Sequence, residues 1–111
     1  MKTTRGFEQS DRYQYDFGPC SAKEGWAQVD TEQDAHYYGM WANPTALKIF
    51  TYCEGDTTLQ ECSTQEEFAE HLRIIEKFEA ISGRRPARID PMLSEEIKEA
   101  FIAIGLKDML H

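Results

Sequence analysis

Several absences constrain this sequence before any motif is considered. It has no run of about 18 apolar residues, so we expect no membrane-spanning segment. Residues 1–7 lack the apolar stretch of a signal peptide, and we therefore expect a cytoplasmic protein. Basic residues are scarce: 12 lysines and arginines stand against 20 aspartates and glutamates, which gives a net charge of −8. Such a charge repels phosphates and disfavours direct binding of nucleic acid.

Cysteine is scarce as well. Cys20, Cys53 and Cys62 are odd in number and lack C-x-x-C spacing, which argues against a disulfide framework and against a zinc site. A turn at Gly55-Asp56 predicts a hairpin in which Cys53 pairs with Thr58, so Cys53 and Cys62 would not lie opposite each other. We expect three reduced thiols, no bound metal and no cofactor.

What is present is enough for one folded domain over residues 1–111. Apolar residues make up 41% of the chain and aromatic residues 12%, which can form a real core. Residues 1–11 are polar and without periodicity, so we expect a loose N-terminal arm. Strand-like patterns follow at residues 13–17, 26–30, 36–41, 47–53 and 57–61.

The last third of the chain has helical patterns. Ser63-Thr64-Gln65-Glu66 fits a capping box, and the helix that it starts runs to Ser82. Its apolar stripe consists of Phe68, Leu72, Ile75 and Phe78, with Ile74 and Ile81 as flanks. A second helix starts at Asp90 or Ser94, and Gly105 ends it; its apolar face consists of Leu93, Ile97, Phe101 and Ile104. Strands first and helices last predict an α+β fold, with an antiparallel sheet of about four strands in the N-terminal two-thirds packed against two C-terminal α-helices.

The negative charge is concentrated in the middle of the chain. Residues 24–72 hold ten acids against the single base Lys48, whereas the two flanking segments are close to neutral. This segment would attract a basic partner and speed its encounter. The alternative interpretation is that the charge serves only solubility.

One pair of residues suggests catalysis. Asp34 and His36 are two apart, so in an extended segment they point the same way, and a carboxylate can orient an imidazole as a general base. The nucleophile would be Cys20, Cys53 or Ser63, but none of them has a recognisable local signature. The sequence therefore favours a non-enzymatic protein and leaves a small hydrolase-like enzyme as an alternative.

The aromatic residues of two neighbouring strands suggest binding. One face of the sheet must pack on the helices, which leaves aromatic side chains on the other face. If that face is exposed, it marks a protein interface or the groove of a small-molecule-binding domain; if the N-terminal arm covers it, it belongs to the core. The predicted binding residues are Tyr37, Tyr38, Trp41, Tyr52, Glu54, Asp56 and Glu61.

Three segments carry a resemblance to a known family: Gly25 to Pro44, Tyr52 to Asp56, and Gly105 to His111. They resemble a family of small uncharacterised proteins found among proteobacterial plasmids, prophages, integrative elements and gene cassettes. The resemblance covers nearly the whole chain after residue 12. It implies an accessory gene of a mobile element and transfers no functional residue. The combined interpretation is a non-enzymatic, acidic interaction module that binds a protein partner with a basic surface or a second copy of itself as a homodimer.

Overall fold

The structure, a computed structural model, describes residues 1–6, 24–30, 38–53, 56–81, 88–89 and 94–110. Within these ranges the order of elements follows the prediction, apart from two strands that were not predicted, one at Lys2–Arg5 and one between the helices at Arg88–Ile89. The elements are β1 (Lys2–Arg5), β2 (Ala27–Asp30), β3 (Tyr38–Asn43), β4 (Lys48–Cys53), β5 (Asp56–Glu61), α1 (Gln65–Ile81), β6 (Arg88–Ile89), α2 (Glu95–Ile104) and a 3-10 helix (Lys107–Met109). The strand pattern predicted at residues 13–17 lies outside the described residues.

The strands form an antiparallel sheet in the order β1-β5-β4-β3-β2-β6. Five strands make up the main sheet, and the two-residue strand β6 extends it along β2. The predicted α+β class is confirmed, with one more strand in the main sheet than the predicted four or so.

The additional strand is at the N-terminus, where a loose arm was predicted. For residues 2–5 that prediction is wrong, because β1 pairs with β5 from Lys2 opposite Glu61 to Arg5 opposite Thr58. The Gly6 amide then donates a hydrogen bond of 2.8 Å to the Thr57 carbonyl. The strand is polar because most of its side chains are exposed at the sheet edge, so it carries no apolar alternation that a sequence pattern could detect.

The predicted hairpin between β4 and β5 is present, but its predicted register is wrong by two residues. Cys53 is opposite Asp56 rather than Thr58, so only residues 54–55 separate the paired positions. Phe50 is consequently opposite Leu59 and Lys48 opposite Glu61. Cys53 and Cys62 are not opposite each other, because Cys62 lies beyond the end of β5.

A buried asparagine organises the turn from β3 to β4. Asn43 accepts hydrogen bonds from the amides of Thr45 (3.2 Å) and Ala46 (3.0 Å), and it donates one of 2.9 Å to the Glu24 carbonyl. The turn ends at Leu47, whose φ of 59° is in the left-handed region. The Asn-Pro signal therefore closes the strand as expected, although β3 runs two residues further than predicted.

The core on one face of the sheet, the helix-side core, is formed by strands and both helices. It is largely aliphatic and contains Ala27, Val29, Met40, Ala42, Ile49, Phe68, Leu72, Ile89, Ile97, Phe101, Leu106 and Met109. The rings of Phe68 on α1 and Phe101 on α2 are 6.4 Å apart, so the two helices meet within this core. The described buried members of the two predicted stripes, Phe68 and Leu72 on α1 and Ile97 and Phe101 on α2, thus face the sheet.

The helix ends follow local capping chemistry. At α1 the predicted capping box is shifted by one residue: Thr64 Oγ1 accepts from the Glu67 amide at 3.1 Å, and Glu67 Oε1 accepts from the Ser63 amide at 2.9 Å. At α2 the prediction is confirmed, because Ser94 Oγ accepts from the Ile97 amide at 3.3 Å and Gly105 ends the helix with a φ of 92°.

The C-terminal turn is attached to α1 by one arginine. Arg73 Nη1 donates to Asp108 Oδ2 at 2.9 Å and to Glu76 Oε1 at 3.2 Å, and Nη2 donates to the Gly105 carbonyl at 3.2 Å. The hydrogen bond to Asp108 is the main cause that raises the pKa of Arg73 above its ordinary value. This network holds the end of α2 and the following 3-10 helix against α1.

Candidate functional site

Two of the predicted aromatic binding residues, Trp41 and Tyr52, lie on the far face of the sheet, which is the face opposite the helices. Trp41 is opposite Phe50, so their side chains share a face, whereas Met40 and Ile49 face the helices. The Trp41 and Phe50 rings are 5.8 Å apart and inclined at 49°. Of the other predicted aromatic residues, Tyr37 lies outside the described residues, and Tyr38 is described only as a backbone position in β3.

These aromatic side chains are buried. Trp41 is 5% exposed and Phe50 is 0% exposed. Together with Trp26, Leu59 and the partly buried Tyr52, they form a second core, the aromatic cluster. The sequence left open whether this face is an exposed binding surface or part of the core. For Trp41 and Phe50 it is part of the core.

Gly39 is part of the same arrangement. It is two residues before Trp41 on the same face of β3, and a Cβ at this position would lie 2.5 Å from Cη2 of the Trp41 ring. The indole ring therefore occupies the space that a side chain would need. Gly39 lets the ring lie flat on the strand, and the ring in turn covers the backbone that glycine leaves bare.

Tyr52 lies at the border of the aromatic cluster. Its strand neighbours are Gly39 on one side and the buried Thr57 on the other, and its own side chain is partly buried. Of the predicted aromatic binding residues whose side chains the structure describes, only Tyr52 combines core packing with some exposure. Its position makes it a rim residue of the core rather than the centre of a groove.

The predicted acidic residues of the hairpin do not share one surface. Asp56 is exposed at the start of β5, and Glu61 is partly buried at its end. They are five positions apart, so their side chains point to opposite faces and lie about 16 Å apart along the strand. Glu54, the third acid of that prediction, lies outside the described residues.

Glu61 is also flanked by bases. In the sheet it is opposite Lys2 of β1 on one side and opposite Lys48 of β4 on the other. Directly opposite charges on neighbouring strands stabilise a sheet and reduce the local field. Glu61 therefore belongs to a mixed-charge row, whereas Asp56 is surrounded by solvent.

The structure places another group of acids on the helices. Glu66 and Glu70 on α1, and Glu96 and Glu99 on α2, are exposed. The charge count of the sequence concealed the acids of α2, because residues 73–111 balance to zero. The signal that could have found them is helical spacing, since acids three or four residues apart within a predicted helix share one side.

Glu67 differs from the neighbouring glutamates because its carboxylate accepts a hydrogen bond that caps α1. The hydrogen bond from the Ser63 amide is the main cause that lowers the pKa of Glu67, and the N-terminal amine at 3.4 Å also contributes. On the next turn, His71 is half-buried, and burial lowers its pKa while the nearby Glu67 acts in the opposite direction. These two groups are tied to local structure rather than available as a reactive pair.

The residues of the catalytic alternative are not brought together within the described part of the chain. Asp34, His36 and Cys20 lie outside it, Cys53 is described only as a backbone position in β4, and Ser63 is exposed before α1. Burial raises the pKa of the Cys62 thiol, which disfavours the reactive thiolate. Among the described residues, no three His, Cys, Asp or Glu side chains are grouped as metal ligands would be.

The helices offer no membrane span. Of the helices in the described ranges, none has both the length and the apolar character needed to cross a bilayer.

The aromatic cluster and the acidic helix residues are thus the two features of the described surface and core that could bear on function. Comparisons with protein-family models, curated proteins and solved structures gave no match, so no residue of this chain takes its role from a relative.

Proposed function

We propose that this chain is a non-enzymatic, acidic protein-interaction module that acts in the cytoplasm on a protein partner with a basic surface. The observation that carries the proposal is the contrast between exposed acids and buried aromatics. Asp56, Glu66 and Glu70 are exposed, whereas Trp41 and Phe50 are buried in the aromatic cluster. A partner therefore meets carboxylates first, and their charge attracts basic surfaces.

The composition supports the same proposal. A net charge of −8 repels nucleic acid and favours a protein with an excess of lysine and arginine as the partner. The resemblance of the sequence to proteins of mobile elements agrees with an accessory protein that binds a host or element protein. The expected complex is one in which charge accelerates association and a smaller set of contacts determines its lifetime.

The test starts from affinity purification with the wild-type chain, after which the recovered protein is expressed and its association kinetics are measured. We expect a basic partner whose association rate constant falls about tenfold or more between roughly 20 and 150 mM salt. Glu66→Lys with Glu70→Lys should slow association. Lys77→Glu, a reversal of opposite sign at an exposed position of the same helix, is the matched control and should not slow it.

Three outcomes would contradict the proposal. An association rate that does not depend on salt would return the acids to a role in solubility. Recovery of only a second copy of the chain would replace the basic partner by a homodimer. A hydrolytic turnover that His36→Ala abolishes, and that the lysine reversals leave unchanged, would favour the enzyme alternative.

A further inference from the structure

The two helices repeat one pattern on their exposed sides. On α1, Glu66, Glu70 and Ile74 follow one another at four-residue spacing, so they lie on one side of the helix. On α2, acids in the first two turns are followed by the exposed Ile102. Ile74 is 54% exposed and Ile102 is 45% exposed; in the described chain, Met1 alone joins them as a large apolar residue with such exposure.

The fold does not need this pattern. Glu66 with Glu70, and Glu96 with Glu99, place like charges three or four residues apart, which weakly destabilises a helix. The helix dipole favours acids in the first turn, but Glu70 and Glu99 are beyond it. An isoleucine that is about half exposed also contributes little buried apolar area to the stability of the fold. Folding alone therefore does not explain acids that precede an exposed isoleucine on both helices.

Both helices lie on the same face of the sheet. The helices share the helix-side core, where Phe68 contacts Phe101, and Arg73 of α1 reaches the Gly105 carbonyl at the end of α2. Since both helices turn their apolar faces to the sheet, both turn their opposite faces outward. We call this outward area the helix surface. It contains the exposed Glu66, Glu70, Glu96 and Glu99 with Ile74 and Ile102. Two lysines adjoin the isoleucines, Lys77 on α1 and Lys98 on α2, and Lys98 is already paired with Glu95 at 3.5 Å, so carboxylates remain in excess.

We propose that the helix surface docks a basic amphipathic segment of the partner protein, with apolar side chains of that segment on Ile74 and Ile102 and its lysines or arginines beside the glutamates. This inference rests on the proposed function and adds the surface and the chemistry of the partner. Charge complementarity selects the occupant. A second copy of the chain would bring its own glutamates against these, which opposes a dimer through this surface.

The probe is a labelled helical peptide of about 18 residues, composed of leucine and lysine with the leucines three or four positions apart, so that they form one apolar stripe. The control peptide has the same composition in an order that breaks the stripe. Anisotropy titrations at about 150 mM salt compare the two. We expect the amphipathic peptide to bind about tenfold more tightly than the control, because only it presents a continuous apolar stripe to the exposed isoleucines.

Variants of the chain then assign the contact. Ile74→Ser with Ile102→Ser should remove the difference between the two peptides, while Glu70→Gln with Glu99→Gln should weaken both. The matched control is Glu24→Gln, set against Glu70→Gln alone; it neutralises one exposed acid outside the helix surface and should leave both affinities unchanged. Thermal melting checks that each variant is folded, as expected for exposed positions.

The outcomes separate this inference from the proposed function. Equal binding of the two peptides, or no effect of the isoleucine variant, would overturn docking on the helix surface. If only Glu24→Gln weakened binding, the acidic module would stand and its surface would lie elsewhere. If neither peptide bound and the purified partner associated independently of salt, both proposals would fail. A dimer in sedimentation that the isoleucine variant dissociates would make a second copy the occupant and would also overturn the inference.

Discussion

The two faces of the sheet are both buried, but they are built differently. The helix-side core draws mainly aliphatic side chains from strands and both helices, with Ile49 and Leu72 as typical members. The aromatic cluster rests on neighbouring strands, with Trp41 against Phe50. A core shared by many elements leaves apolar stripes in the sequence. A cluster on one sheet face appears in the sequence only as strands rich in aromatic residues. An exposed binding face produces the same pattern, so the sequence does not distinguish the two.

The largest expected effects test whether both faces are true cores. Phe68→Ala on the helix side and Phe50→Ala on the far face should each lower the free energy of unfolding by about 3–5 kcal/mol, because both rings are fully buried. Leu72→Ala should cost about 2–5 kcal/mol. Denaturant unfolding measures all three. A loss below about 1 kcal/mol for Phe50→Ala would show that the far face is not a core.

A smaller effect should follow from filling the space under the tryptophan ring. Gly39→Ala places a methyl group where the Trp41 ring lies and should cost about 1–3 kcal/mol. The cost should shrink in a Trp41→Leu background, which leaves room for the methyl group. A double-mutant cycle measures this coupling. Equal costs in the two backgrounds would mean that the ring does not lie on Gly39.

A still smaller effect is expected at the start of α1, the helix that covers the helix-side core. Thr64→Ala should cost about 0.5–2 kcal/mol because Thr64 Oγ1 caps the helix. Ser63→Ala is the matched control and should be nearly neutral, since the Ser63 amide, rather than its hydroxyl, makes the described contact with Glu67. If Ser63→Ala proved the more costly of the two, the cap would be at the residue predicted from the sequence.

The smallest expected effect is a dependence on pH. Burial lowers the pKa of His71 in the folded chain below its unfolded value, so the unfolded chain binds the proton more readily. Stability should therefore decrease as pH falls through the unfolded pKa near 6.5. His71→Gln should reduce this decrease between about pH 7 and 5, as measured by denaturation at each pH. An unchanged pH profile would show that His71 is exposed to solvent in the same way in both states.

The sequence was sufficient for the part of the helix-side core that the helices contribute. Helical spacing identified Phe68, Leu72, Ile97 and Phe101, and the signals at Ser94 and Gly105 set the bounds of α2. These features follow from local periodicity and capping, which a single sequence displays directly. The α+β class followed from the order of the elements.

Other features depend on partners distant in the chain. β1 is a strand because β5 is beside it, and nothing within Lys2–Arg5 indicates this. The burial of Trp41 depends on which residues pack on the far face. The alternation of side chains along β3 places Trp41 on that face but does not determine how exposed it is. Ile74 was predicted to flank the apolar stripe of the first helix, and only the exposure of each residue separates Ile74 from Ile75.

The affinity of the leucine-lysine peptide for two variants tests the central claim, which is that the aromatic cluster is a core and the helix surface is the contact. The account predicts that folded Trp41→Leu binds the peptide as tightly as the wild type does, although its unfolding free energy is lower. It predicts that Ile74→Ser with Ile102→Ser keeps its stability and binds the amphipathic peptide about tenfold more weakly. The reverse result, with weaker binding in Trp41→Leu and unchanged binding in the isoleucine variant, would contradict the account.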